Sequence, residues 1–332
     1  MAPTGRVIPF VAAIVLFSLM VSISNAQQQA KPTKVVQLTG LIGVKNNTKG
    51  NLTVENGNLH FTHSKSASDL AAPSMQDVVT GSDSQRVIRG TLGTLSRFGP
   101  YGSGTFMSLL RSKLDTLTIQ YRDADGGLHG AIFTTPAGTA EVIKDELIGE
   151  GAQTSIPTKG EPASDLPYPS DAKEPYLQAQ PGQPARINAS AIRVMMIQSD
   201  EIKLPAEFQV SLYENLMQEL QKKGGFQHVY REGDRNSADA PNLIILHGTV
   251  RGFKKGSEMA RDVTTVAGAT SIRVHCEFTD KGGQLLLARD ISGRVRFFGG
   301  NLKATYDFAK KAAIVAHENV SPVAGGPANE RF

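Results

Sequence analysis

Apolar and polar positions follow two rhythms along this chain, and the change of rhythm divides it. From about residue 35 to 150 the period is two. Leu52-Thr-Val54 and Leu59-His-Phe61 flank Glu55-Asn56-Gly57-Asn58. The central Asn-Gly pair suits a type I′ turn, where both residues need positive φ. Leu117-x-Ile119-x-Tyr121 and His129-x-Ala131-x-Phe133 flank a turn at Asp123–Gly127 and predict a second hairpin. Its Asp and Gly residues are turn formers, so Asp123 and Asp125 are not taken as metal ligands. A stripe of Ala140, Ile143 and Leu147 predicts a helix near 137–148.

From 187 to 321 the two rhythms mix. Ala191–Ile197 reads as a short strand. Pro205 opens a helix that Gly224-Gly225 close, with Phe208, Leu212, Leu216 and Leu220 as its ridge and Tyr213 and Met217 widening it. Phe226–Val229 is an edge, Asn242–Val250 a buried strand, and Ile272–Phe278 pairs through Asp280–Gly283 with Gln284–Ile291. Asp307–Asn319 is the closing helix, with Ala304, Phe308, Ala312 and Val315 facing the sheet. Between the halves, 151–186 carries seven prolines (Pro157, Pro162, Pro167, Pro169, Pro175, Pro181 and Pro184) and little periodicity, which predicts an extended linker. Residues 322–332 read as a disordered tail. The fold class expected is α+β: a β-rich first domain with one capping helix, then a compact αβ domain with helices packed on a mostly antiparallel sheet.

The N-terminus changes the setting. Arg6 precedes an apolar run, Val7–Ile23, that ends in Ser24-Asn25-Ala26, a small-x-small cleavage pattern, and Gln27-Gln28-Gln29 follow. This predicts a signal peptide over 1–26 and an exported, periplasmic or extracellular protein. A retained anchor is the competing reading. No Cys lies near the site, so no lipid anchor is expected, and no later apolar run is long enough to span a bilayer. The net charge of +4 is mixed along the chain, a solvated surface and not a nucleic-acid patch. Trp is absent and aromatics are 6%, which argues against a stacking platform for sugars or bases. The single Cys276 stands in Ile272-x-Val274-x-Cys276-x-Phe278 and points inward as a core thiol.

Two resemblances add to this. The hairpins, the Ser74–Val79 segment, a hairpin ending in Ala131-Ile132-Phe133 and one closing helix resemble a pleckstrin-homology-like barrel, over about 110 residues. That implies a binding or scaffolding module. The second half resembles a bacterial domain-of-unknown-function family, numbered forty-four ten and often carried by envelope lipoproteins. The matching series is Leu220-Gln-Lys-Lys-Gly-Gly-Phe226-x-x-Val229, then Ala240-Pro-Asn-Leu243-Ile-Ile-Leu246-His-Gly248-x-Val250-x-x-Phe253-x-x-Gly256, Arg261, the Ile272–Phe278 strand, Asp280-x-x-Gly283 and the last helix. It implies a compact αβ envelope domain of undefined activity. This chain lacks the lipid-bearing Cys common there.

Catalytic signatures are missing from the sequence. His60 and His63, three apart on a strand, face opposite sides and cannot share a metal. His275 lies on the side of its strand opposite Cys276. No Ser stands in Gly-x-Ser-x-Gly or in a matching Ser-x-x-Lys set, and Gly99–Gly104 lacks the Gly-Lys-Ser/Thr of a phosphate loop. Glu201, Glu207, Glu214 and Glu219 read as surface charge on or near one helix. No catalytic, cofactor or metal residue is assigned. The densest basic cluster, Arg251, Lys254, Lys255 and Arg261, is the candidate partner site, with an acidic envelope protein or an anionic surface as the partner. The leading expectation is a non-catalytic binding or scaffolding protein of the bacterial envelope. The alternatives are a hydrolase whose site is assembled from distant residues and a binder of a small ligand or lipid in the β-rich domain.

Overall fold

The turn that the sequence marks most strongly forms as its residues require: Asn56 and Gly57 have φ of 53° and 75°. They join β2 (Thr48–Glu55) to β3 (Asn58–His63), and the hairpin is flanked by β1 (Thr33–Thr39) and β4 (Ser66–Ala71). Three further strands, β5 (Met75–Thr80), β6 (Leu114–Arg122) and β7 (Leu128–Pro136), complete a seven-stranded antiparallel sheet in the order β4-β3-β2-β1-β7-β6-β5. This is a computed structural model. It describes residues 32–64, 66–81, 114–155, 187–199, 202, 204–256, 269–295 and 301–321, all within one unit that spans Pro32–Phe332. The predicted signal segment, the run around Gly99–Gly104, all seven linker prolines, Glu201, Arg261 and the C-terminal tail lie outside the described residues.

Helix α1 (Thr139–Gly149) buries the predicted stripe Ala140, Ile143 and Leu147 against the first sheet, where Leu52, Phe61, Met75, Leu117 and Phe133 fill the core. Its first-turn Glu141 accepts a hydrogen bond from Thr80 Oγ1 at 2.8 Å and so ties the helix to β5.

The second half begins with β8 (Ile187–Asn188) and β9 (Ala191–Val194), followed by α2 (Ala206–Lys223) and β10 (His228–Arg231). Next come β11 (Leu243–Lys254), β12 (Thr270–Asp280) and β13 (Leu285–Val295), then α3 (Lys303–Asn319) and a short β14 (Val320–Ser321) that pairs with β8. The five-stranded sheet has the order β10-β9-β11-β12-β13. β9 runs parallel to β10 and β11 over short ladders, while the long β11-β12-β13 meander is antiparallel. Helices α2 and α3 cover one face. Phe208, Leu212, Leu216, Leu220, Phe308 and Ala312 meet Ile192, Val250, Val274 and Phe278 there. Cys276 is 1% exposed among them, and its burial pushes the thiol up to about 12, far from a nucleophile.

One expectation fails, and the failure is informative. Glu214 and Glu219 are each 1% exposed, not surface charge. The reason is that α2 is buried on two sides. Its Phe208–Leu212–Leu216 ridge faces the five-stranded sheet, and its Val210–Glu214 side faces β7. A Cβ on Gly130 of β7 would lie 2.5 Å from Val210 Cγ1, so only glycine admits so close an approach.

Candidate functional site

Two regions concentrate charge. The first is the seam between the halves. Glu214 forms a bidentate pair with Arg231, at 2.7 Å to Nη1 and 2.9 Å to Nη2. Glu214 Oε1 also accepts the N–H of Gly130 at 3.0 Å, and Arg231 Nη1 donates to the Leu128 carbonyl at 2.9 Å. Both charged groups therefore reach from the second half into the start of β7. Arg231 also lies 5.6 Å from the Tyr213 ring centroid, a cation–π contact. Burial alone would lower the Arg231 pKa. The charge and hydrogen bonds of Glu214 outweigh it and hold the guanidinium above its usual value.

The Asp123–Gly127 turn docks beside this pair. Leu128 N donates to the Glu232 carbonyl at 2.9 Å, Arg235 N to Asp125 O at 3.0 Å, and Arg235 Nη2 to Ala124 O at 2.6 Å. Asp123 serves the turn as expected, since its Oδ1 accepts the N–H groups of Asp125 and Gly127 at 2.9 and 2.7 Å. Its Oδ2 reaches His129 Nε2 at 2.8 Å. His129 is 6% exposed, and its ring stacks on Tyr121 at 5.1 Å. The other nitrogen, Nδ1, is buried and unpartnered. Desolvation, and then the nearby Arg231 charge, hold the His129 pKa below its usual value. For Asp123, burial raises the pKa, but hydrogen bonds from His129 and the Gly127 N–H outweigh it and bring it below the usual carboxylate value. Burial raises both Tyr121 and Tyr213; their hydroxyls contact the Gly40 carbonyl at 3.1 Å and the Glu232 N–H at 3.0 Å. The chemistry of this region is that of a lock. Its charges face each other and the backbone.

The seam was missed in the sequence because its residues are far apart along the chain; Glu214 and Gly130 are separated by 84 positions. The available signal was in α2 itself. Val210, Tyr213 and Met217 broaden the apolar set well beyond the ridge, and a helix apolar over more than one stripe is packed on more than one side.

The second region is the end of the five-stranded sheet where β11 finishes. Arg251, Lys254 and Lys255 are all exposed there. Arg251 is the extra residue of a β-bulge, where the β11–β12 register shifts between Val250 and Gly252. Lys254 pairs with Ser271 of β12, which pairs in turn with Arg294 of β13. On the next rung Gly252 pairs with Arg273, and Arg273 with Ser292. Arg273 and Arg294 are exposed as well, so the register gathers onto this end two cations that lie outside the cluster marked by the sequence. A third rung carries His275 bonded through Nδ1 to Asp290 at 2.7 Å and through Nε2 to Glu277 at 3.3 Å. These carboxylates bound the basic end.

Comparison with known proteins places residues 178–298 in a match to the family model described as "Domain of unknown function (DUF4410)". That is the family the second half resembles. Among solved structures, the chain is similar to a PelC dodecamer from Paraburkholderia phytofirmans, 16% identical, over 41% of this chain and 92% of that one, with a TM-score of 0.29. It is similar to a neuraminyllactose-binding hemagglutinin homolog from Helicobacter pylori, 12% identical, over 44% of this chain and 92% of that one, TM-score 0.24. A third likeness is to L. pealei PLC21, 16% identical, over 38% of this chain and 16% of that one, TM-score 0.23. No curated protein matches the chain. Among the described residues no helix is long and apolar enough to cross a membrane.

Proposed function

We propose that this chain is an exported, non-catalytic binding or scaffolding protein of the bacterial envelope, and that it meets its partner at the basic end of the second sheet. One observation carries the reading: Arg251, Lys254 and Lys255 are exposed together at the end of a strand whose other face is packed by two helices. A strand end holds the backbone of these cations in place, and mutating them leaves the core untouched. At the seam Glu214 is buried and Arg231 half-buried, and the two are taken up by each other and by the backbone of β7. The Ser24-Asn25-Ala26 cleavage pattern supports export, with 1–26 removed and no lipid added. Intact mass of the secreted chain tests that step, and residual 1–26 or an acyl adduct would refute it.

The binding reading is tested by pull-down from envelope extract with the mature chain, followed by the Lys254→Glu/Lys255→Glu variant. The partner should be acidic, its affinity should fall with salt, and the double variant should weaken both the affinity and its salt dependence. A partner held equally well by the variant would show that the basic end is only solvated surface.

A further inference from the structure

Resting on the reading of the basic end as a binding site, we propose that its ligand is a linear anionic polysaccharide, laid across the strands on the solvent face of β11, β12 and β13. The register fixes the layout. Lys254, Ser271 and Arg294 form one rung, and Gly252, Arg273 and Ser292 the next. Strands lie ~4.8 Å apart and alternate residues along a strand ~7 Å apart, so Lys254, Arg273 and Arg294 sit at the corners of a triangle with sides of roughly 8–10 Å at the backbone. That spacing is about one Debye length at physiological salt, close enough for the charges to act together. Lys255 and the bulged Arg251 extend the array on the β11 side.

Three features select a polyanionic chain. The positions between the cations are Ser271, Gly252 and Ser292, small side chains that leave the sheet surface low. No apolar or aromatic side chain stands on either rung, whereas the core of a protein–protein interface is built from aromatic and apolar residues with charges depleted. A nucleic-acid strand would want aromatic faces for its bases, and the rungs carry none. The array also has a boundary. Beyond Arg273 the next rung holds Asp290 and leads to Glu277, so an anionic chain is repelled along the strands and accepted across them. Beside β13, Asp307 is occupied by Lys311 Nζ at 2.6 Å and by the N–H of Arg294 at 2.9 Å.

The test is binding of the mature chain to oligogalacturonate, a linear carboxylate polysaccharide, against neutral dextran and duplex DNA, measured by calorimetry at two salt concentrations. Wild type should bind oligogalacturonate alone, more weakly at higher salt. Arg273→Glu/Arg294→Glu should lower that affinity about tenfold or more, as the loss of two attractions and gain of two repulsions implies. The milder Arg273→Gln/Arg294→Gln pair should weaken it in the same direction and covers the case of a misfolded Glu variant. Unchanged affinity in the sheet variants, or equal binding of DNA or dextran, overturns the proposal. If Lys254→Glu/Lys255→Glu abolishes capture of an acidic protein while wild type ignores oligogalacturonate, the binding reading stands and this one falls.

Discussion

At the seam, Glu214 and Arg231 are within 2.7 Å, with side chains 2% and 16% exposed, and backbone groups of β7 take up their remaining bonds. At one end of the five-stranded sheet, Arg251, Lys254, Lys255, Arg273 and Arg294 stand exposed on or just past strands whose register keeps them apart. The two regions use charge for opposite purposes. Removing a buried pair from water is costly, so the pair contributes only while both members are present and fully bonded, and its geometry dictates how β7 meets α2. Exposed cations contribute almost nothing to folding and stand at the surface, where a partner can reach them. Charge that specifies structure and charge that offers recognition are thus separated on one domain.

The largest effect that separates the two regions comes from Glu214→Ala. It leaves Arg231 buried without its counter-ion and the Gly130 N–H without its acceptor. Urea unfolding should report a loss of about 3–5 kcal/mol. Replacing both Glu214 and Arg231 by leucine should recover much of that, because no lone charge is left inside. A cost of Glu214→Ala below about 1 kcal/mol, in the range of exposed pairs, would mean that the seam is not a lock.

A smaller effect comes from pH. The folded His129 pKa is depressed, so the folded state resists the proton that the unfolded chain takes up near pH 6.5. The stability that depends on neutral His129 is therefore fully present above about pH 6.5 and is lost as pH falls below it toward the folded value. Asp123 acts lower. Its folded pKa is also depressed, so its contribution is present above about pH 4 and lost on further acidification. Melting temperatures between pH 8 and 5 should fall for wild type and fall less steeply for His129→Gln. Parallel curves would remove His129 from the seam's electrostatics.

The smallest effect belongs to the basic end. Lys254→Glu/Lys255→Glu should move stability by no more than about 0.5 kcal/mol while weakening partner binding. A variant that unfolds as easily as Glu214→Ala would erase the distinction between the two regions.

Much of the secondary structure was readable from local chemistry. Asn56-Gly57 dictates its turn because few other residues accept two successive positive φ values. The alternation around Cys276 places it inward, and Ala140, Ile143 and Leu147 mark the buried stripe of α1. Pro205 and Gly224 stand at the two ends of α2. These features depend on residues within a few positions of one another, and the sequence period states them directly.

Long-range pairing is different. The periodicity and turn residues state the two apolar cores, the places where the chain turns, and the neighbouring cations Lys254 and Lys255. The burial of Glu214 is settled in three dimensions, because it follows from β7 packing on the second side of α2, 84 positions away at Gly130. The pairing of the strands alone settles that Arg273 and Arg294 join Lys254, since a one-residue slip in either ladder would turn them to the helix-covered face. A periodic pattern states which side of an element is apolar. It carries no information about which distant backbone will come to lie against that side, and burial and register are properties of both partners together.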